Sequence, residues 1–172
     1  MSKVIKCKLD SDSIDSAIKE IQAYREGIQE KLNEFVSRLS QDGVQVASAR
    51  LSSTVGDSTD AGISYTVSSS GDIIAATISL LGSDALFIEF GAGIAYNTGA
   101  QHPLASEFGY GVGTYPSKHP PSKGMNPGYW FYREDGQLVR SIGTQASMPI
   151  YHAAETVRNN AIMRATEIFR SI

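Results

Sequence analysis

The stretch G-I-S-Y-T-V-S-S-S-G-D-I-I-A-A-T-I-S-L-L, residues 62–81, decides the fold class of this chain. Its first half alternates apolar and polar residues, which is the two-residue period of a half-buried strand. Gly71 and Asp72 then form a tight-turn pair, and an apolar run rich in Ile and Ala returns from it. We therefore predict a β-hairpin over residues 62–81, and a further strand over Ala85–Phe90, which reads A-L-F-I-E-F.

A long helix is predicted before the hairpin. From Ile14 to Leu39 the apolar residues recur at alternating steps of three and four, and serine and aspartate residues at its start offer capping oxygens. The pattern predicts a helix over residues 11–42 with Gly43 as its C-cap, and a strand or short irregular piece over residues 44–51. The apolar stripe fits a coiled-coil seam or a helix lying on a sheet, and we favour the sheet.

A second helix is predicted at the end of the sequence, over residues 148–171. Ser147 fits its N-cap, and Pro149 falls in the first turn, where a missing N–H does no harm. Before this helix, an aromatic run followed by the turn pair Asp135-Gly136 predicts a second hairpin over residues 129–142.

Residues 91–128 show no regular period and contain five of the six prolines. A loop inside a compact domain rarely exceeds about 12–15 residues unless it has a function or is disordered. Aromatic residues are spread through this glycine- and proline-rich segment. We therefore expect it to dock onto its own sheet or onto a neighbouring subunit.

The order of helix, strands and helix, without βαβ alternation, predicts an α+β fold with an antiparallel sheet. One domain over residues 1–172 is expected. Its predicted segments are an N-terminal arm at 1–10, a long helix at 11–42, a sheet at 44–90, an extended loop at 91–128, a hairpin at 129–142 and a C-terminal helix at 148–171.

Composition disfavours several classes of function. The net charge is −3 and no run of basic residues exists, so a protein that grips nucleic acid is not expected. The longest apolar runs are far shorter than the roughly 20 residues that span a bilayer, and the start of the sequence lacks the apolar core of a signal peptide. The single cysteine, Cys7, excludes a disulfide within the chain and fits a reducing compartment.

No motif for catalysis, cofactor binding or metal binding is found. His102, His119 and His152 lack zinc-ligand spacing, and His152 is expected at the surface or beside Glu155. Cys7 has no adjacent histidine, and the sequence holds no G-x-S-x-G motif. We therefore predict no catalytic residue, no metal and no cofactor, and a protein that is not an enzyme.

Glu89 stands out because it lies between Ile88 and Phe90 in F-I-E-F-G-A-G. On a strand it would point away from its apolar neighbours. Two interpretations remain open: a solvent-facing strand residue, or a fixed salt bridge to an arginine of an adjacent subunit.

Several blocks together resemble a known family. They are F-I-E-F-G-A-G at residues 87–93, H-P-L-A-S-E-F-G at 102–109, Y-W-F-Y at 129–132 and T-x-A-x-M-P-I-Y-x-A-A at 144–154, after a long N-terminal helix. The series, over residues 11–171, resembles the phage head–tail joining proteins typified by gene product ten of the Hong Kong lambdoid phage. The chain departs from the family pattern at residues 49–54, which read A-R-L-S-S-T in place of T-G-x-L-x-x-S.

The resemblance implies a structural virion protein of the neck or tail, without a cofactor, that forms a homo-oligomeric ring, expected to be a hexamer. Connector and tail-tube or sheath proteins would be its partners, DNA would pass through without sequence-specific binding, and assembly would start in the host cytoplasm. We predict a subunit interface that includes Glu89, Phe90, Tyr96, Phe108, Tyr110, Tyr115, Trp130 and Tyr132. Alternatives are a minor tail or baseplate protein and, less favoured, a small envelope hydrolase that uses His102 or His119 with Glu107.

Overall fold

The computed structural model describes residues 4–54, 60–93, 101–108, 111–112, 130–141 and 143–170. In chain order the elements are α1 Ser11–Thr54, β1 Gly62–Ser70, β2 Ile73–Leu81, α2 Ala85–Phe90, β3 Ala92–Gly93, β4 Gly111–Val112, β5 Trp130–Glu134, β6 Gln137–Ser141 and α3 Pro149–Phe169. The long helix, the antiparallel hairpin and the C-terminal helix confirm the predicted α+β fold.

Helix α1 is longer than the sequence predicted, and this corrects the interpretation of Gly43. The helix has 44 residues, about 66 Å at 1.5 Å per residue, and it includes residues 44–51, which were predicted as a strand or irregular piece. Gly43 is buried within it, where a Cβ would lie 2.7 Å from Ile78 Cδ1 and 2.9 Å from Val157 Cγ2. The glycine therefore allows close packing in mid-helix and does not end it.

Helix α1 is the central support of the fold. It packs against α3 and against both strands of the β1–β2 hairpin, so its apolar stripe contacts both a helix and a sheet. Helix α3 runs antiparallel to it, because Phe169 lies beside Phe35, with ring centroids 6.2 Å apart, while Ser147 at the other end bonds to the Arg50 carbonyl.

The β1–β2 hairpin is confirmed, with Gly62 paired to Leu81 and Ser70 paired to Ile73. Its two-residue turn has Gly71 at φ 60°, the left-handed conformation that glycine adopts without strain. At the tip, Asp72 receives a hydrogen bond from Arg25 Nη2 at 2.9 Å, so the hairpin lies along α1. The part of α1 before Arg25 extends beyond it.

The segment Ala85–Phe90 is a short helix, so the strand predicted there is wrong. The sheet predicted over residues 44–90 is wrong in part, since the described strands of that range are β1 and β2. The N–H groups of Phe87 and Ile88 bond to the Asp84 carbonyl, and the Gly91 N–H bonds to Phe87. Six residues are too few for a period of two and a period of 3.6 to be told apart. Gly91, at φ 72°, then turns the chain into β3.

The β5–β6 hairpin is confirmed within the predicted residues 129–142. Asp135 at φ 47° and Gly136 at φ 80° form a turn of type I′. The short strand β3 pairs in parallel with β4, and Ala92 also exchanges two backbone hydrogen bonds with Thr144.

Candidate functional site

A buried carboxylate, Glu89 on α2, holds the start of α3. Its Oε2 accepts the N–H of Ile150 and its Oε1 accepts the N–H of Tyr151, both at 2.9 Å. These are the first two N–H groups of α3, since Pro149 has none. The negative charge at the positive end of the helix dipole makes both bonds strong. Glu89, which is 7% exposed, is thus the N-terminal cap of α3.

His102 is the second buried polar side chain of this cluster. Its Nδ1 accepts the N–H of Leu104 at 3.1 Å, which leaves the ring proton on Nε2. Nε2 lies 3.3 Å from Glu89 Oε1, so the ring and the carboxylate are within ion-pair distance. Both ring nitrogens therefore face groups of the same chain.

Aromatic rings close the cluster on its apolar side. Phe90 contacts His102 edge-on with centroids 4.5 Å apart, and Phe108 lies 5.4 Å from Phe90. Tyr151 contacts the other side of His102 at 5.2 Å. These contacts fix residues 101–108 onto α2 and α3.

The cluster unites three of the four blocks that carry the family resemblance. Glu89 and Phe90 come from residues 87–93, His102 and Phe108 from 102–109, and Tyr151 from 144–154. We name it the cap cluster, defined as Glu89, His102, Phe90 and the first turn of α3. Its visible role is to join the three segments into one body.

The interpretation of Glu89 as a solvent-facing strand residue is wrong, because the residue lies on a helix and its carboxylate is buried and bonded within the chain. The salt bridge to an arginine of an adjacent subunit stays a prediction. The sequence did carry a signal. Met148, which stands at the N-cap of α3 with φ 55°, has no capping oxygen, and Pro149 follows it. The first N–H groups of such a helix need a hydrogen-bond acceptor from another part of the chain.

Ser147 was predicted as the N-cap and instead links two helix ends. Its Oγ lies 2.7 Å from Thr54 Oγ1 and 3.2 Å from the Arg50 carbonyl, while its N–H bonds to the Ile88 carbonyl. It therefore satisfies an acceptor in the last turn of α1.

A salt bridge fixes the middle of the α1–α3 contact. Arg164 donates from Nε and Nη2 to the two oxygens of Asp42, at 2.9 and 2.8 Å, and Asn160 adds a third bond at 3.0 Å. The hydrogen bond from Arg164 is the main reason that the pKa of Asp42 lies below its usual value. Nearer the end of α3, Lys31 Nζ donates a further hydrogen bond to the Ile168 carbonyl at 2.8 Å.

An open apolar groove of about 510 Å³ lies beside the cap cluster. Its walls come from β2, α2, α3 and the segment at 101–108, and they consist of Ile78, Ser79, Leu80, Ala85, Leu86, Glu89, Phe90, His102, Leu104, Ile150, Tyr151 and Ala154. No buried side-chain nitrogen or oxygen of the described residues is left without a hydrogen-bond partner. The groove floor therefore offers a ligand apolar contact and few polar contacts.

The predicted interface residues fall into three groups. Glu89 and Phe90 belong to the cap cluster, and Phe108 is 58% exposed at its edge. Trp130 and Tyr132 lie on β5, where the structure describes their backbone. Tyr96, Tyr110 and Tyr115 lie outside the described residues, as does His119.

The hydrolase alternative gains no support from the described histidines. His102 pairs with Glu89, while Glu107 is exposed. His152 Nδ1 lies 3.4 Å from Glu155, as expected. In the parts of the chain that the structure describes, no cluster of three metal-ligating side chains occurs, and no helix is long and apolar enough to cross a membrane.

Comparison of the chain with family models, with curated proteins and with solved structures finds no match.

Proposed function

We propose that the chain is a structural subunit of a phage neck or tail, which assembles as a ring between the connector and the tail tube. The observation that carries the proposal is the amount of ordered apolar surface that a single subunit leaves uncovered. Such surface in a folded protein usually marks a site of protein association.

The first part of α1 supplies one such surface. Ile14, Ile18 and Ile21 recur on one face at steps of four and three, and all three are exposed. Further along the same stripe, Phe35 is covered by Phe169 of α3. Ile14 lies 21 residues before Phe35, so the stripe runs about 30 Å beyond the last turn of α3. This length is suitable for contact with a neighbouring subunit or a tail protein.

Open sheet edges supply a second surface. In the described residues the β1–β2 and β5–β6 hairpins are separate two-stranded sheets. Isolated edges invite pairing with another chain, and a closed ring satisfies all of them without further growth.

The chemistry of the buried groups also supports a structural role. Glu89 and His102, the two buried ionisable side chains of the described core, are occupied by bonds that hold α3 and the segment at 101–108. The mildly acidic charge of −3 suits a ring through which DNA slides, because like charges prevent adhesion.

The proposal is tested by measuring the mass of the purified full-length protein alone and with purified tail tubes. Sedimentation velocity and negative-stain electron microscopy should reveal a discrete ring in solution or on the tube ends. A protein that stays monomeric and never joins tails would refute the proposal. Gold labelling in whole particles would separate a neck position from a minor tail or baseplate position.

A further inference from the structure

The start of α1 carries three apolar side chains on one face, which we name the exposed stripe. Ile14, Ile18 and Ile21 are 42%, 47% and 55% exposed. They stand at positions i, i+4 and i+7, which lie within about 60° of one another around a helix. Every charged residue between Ile14 and Ile21 lies at least about 90° from the middle of this face. A partner of the exposed stripe therefore meets an apolar surface without charges.

The exposed stripe is too short to pair with a second copy of itself. The next position of the same period is Arg25, which bonds to Asp72 at the tip of the β1–β2 hairpin. The uninterrupted seam therefore covers less than two heptads, whereas a coiled coil usually needs at least about three to four. Anchors at i, i+4 and i+7 are instead the pattern with which an amphipathic helix binds an apolar groove.

The groove beside the cap cluster matches the exposed stripe in chemistry. Its volume is about 510 Å³, and binding clefts typically have roughly 300–1,000 Å³. Leu86 on α2 and Leu104 in the segment at 101–108 form walls that are 49% and 46% exposed. Glu89 and His102 also line the groove, but both side chains are buried and face each other. A suitable occupant therefore supplies apolar side chains and needs no charges.

The exposed stripe of one chain cannot reach the groove of the same chain. Gly43 of α1 lies close to the groove, because a Cβ there would be 2.7 Å from Ile78 Cδ1, and Ile78 lines the groove. Ile21 and Ile14 stand 22 and 29 residues before Gly43 on one continuous helix, so they lie about 33–44 Å away along its axis. The two surfaces can therefore meet only between different copies of the chain.

We infer that the exposed stripe of one copy docks in the groove of the next copy, where its three isoleucines cover Leu86 and Leu104. The inference rests on the proposed ring and names a contact that builds it. Stripe and groove are different surfaces of the chain, so the contact is head-to-tail, and repetition with a fixed rotation closes a ring. Helix α1 then bridges two neighbouring subunits.

The size of the contact sets the strength expected of it. A helix with three anchors buries less than the area of about 1,600 Å² that is typical of a stable interface, so two free chains should bind weakly. In a closed ring each chain uses both its stripe and its groove, and a chain leaves only when both contacts break. Chemical cross-linking is a suitable probe, because it traps a weak contact.

Single-cysteine variants of the full-length chain, made in a Cys7→Ser background, test the contact directly. One chain carries Ile18→Cys, and a second chain with a longer tag carries Leu86→Cys. A short bismaleimide reagent, which tolerates a few ångströms of misalignment, should join one chain of each length, as seen on a denaturing gel. The matched control carries Ile162→Cys in place of Leu86→Cys, at a side chain that is 82% exposed on α3, and should give little product.

Aspartate variants measure how far the ring depends on the contact. The stripe variant carries Ile14→Asp and Ile18→Asp, and the groove variant carries Leu86→Asp and Leu104→Asp. All four side chains are at least 42% exposed, so both variants should fold, which circular dichroism and thermal melting would verify. Each should associate at least about 30-fold more weakly than the unmodified chain, whereas Ile162→Asp should associate normally.

Three results overturn the inference and leave the proposed ring standing. Cross-links between two Ile18→Cys chains, with none of mixed length, would mean that the stripe pairs with itself. Normal rings from both aspartate variants would mean that the ring uses another surface. If the stripe variant forms normal rings that no longer join tail tubes, the stripe binds a tail protein. If the unmodified chain neither self-associates nor joins tails, the proposed ring itself fails.

Discussion

Removal of the Glu89 carboxylate is the most direct test of the cap cluster. Glu89→Ala deletes the acceptor for the N–H groups of Ile150 and Tyr151 and removes the carboxylate that lies 3.3 Å from His102 Nε2. Two backbone donors then lose their partner, and breaking a buried charged network by removing one member costs about 3–5 kcal/mol. For a chain of this size, each kcal/mol lowers the melting temperature by about 2–4 °C.

We therefore expect Glu89→Ala to lower the melting temperature by about 6–20 °C. Hydrogen exchange should identify the mechanism, because the amides of Ile150 and Tyr151 should exchange much faster while those in the middle of α1 change little. The matched control is Glu155→Ala. Glu155 is a half-buried carboxylate on α3 that accepts the Tyr151 hydroxyl at 3.3 Å. Its loss should cost less than about 1 kcal/mol.

The reasoning is refuted if Glu89→Ala melts within about 2 °C of the unmodified chain, or if it is no more destabilising than Glu155→Ala. Either result would mean that the first turn of α3 does not depend on the buried carboxylate.

Further predictions concern the α1–α3 contact. Gly43→Ala should be about 1–3 kcal/mol less stable in urea unfolding than Gly27→Ala, because both gain the helix propensity of alanine but the Cβ at position 43 would lie 2.7 Å from Ile78 Cδ1 and 2.9 Å from Val157 Cγ2. Gly27→Ala, where a Cβ meets nothing within 4 Å, should stabilise α1 by up to about 1 kcal/mol, and equal effects of the two would contradict the packing. Because the folded-state pKa of Asp42 is lowered, its stabilisation is present above the ordinary pKa of about 3.9 and is lost as the pH falls through the folded value. Asp42→Asn should thus be less stable than the unmodified chain at neutral pH, by an amount that shrinks in acid, and a gap that is constant with pH would argue against the ion pair.

The fold class was predictable because the hairpin at 62–81 and the two helices carry clear periods. The predictions that were wrong concern segments whose conformation depends on tertiary contacts. The residues around Gly43 do not show whether it ends a helix as a C-cap or lies within one. The structure shows a glycine within α1, at the point where α1 packs closely against α3 and β2. Similarly, the six residues Ala85–Phe90 are apolar except for Glu89 and fit a short strand, yet they form a helix that brings Glu89 to the start of α3.

The cap cluster shows that motifs of the sequence resemblance can reflect the fold of one chain and not its assembly. Three of its blocks meet at Glu89 and His102, whose contacts hold one subunit together, so those blocks describe how this fold is built. The proposed assembly would use other features, namely the exposed stripe at the start of α1 and the open edges of the described strands. A variant that breaks the cap cluster should therefore lose stability and assembly together, whereas Ile14→Asp combined with Ile18→Asp, at two exposed positions of the stripe, should lose assembly and keep its melting temperature. If this stripe variant melted as early as Glu89→Ala, the stripe would belong to the core of its own chain, and the division between fold and assembly would be wrong.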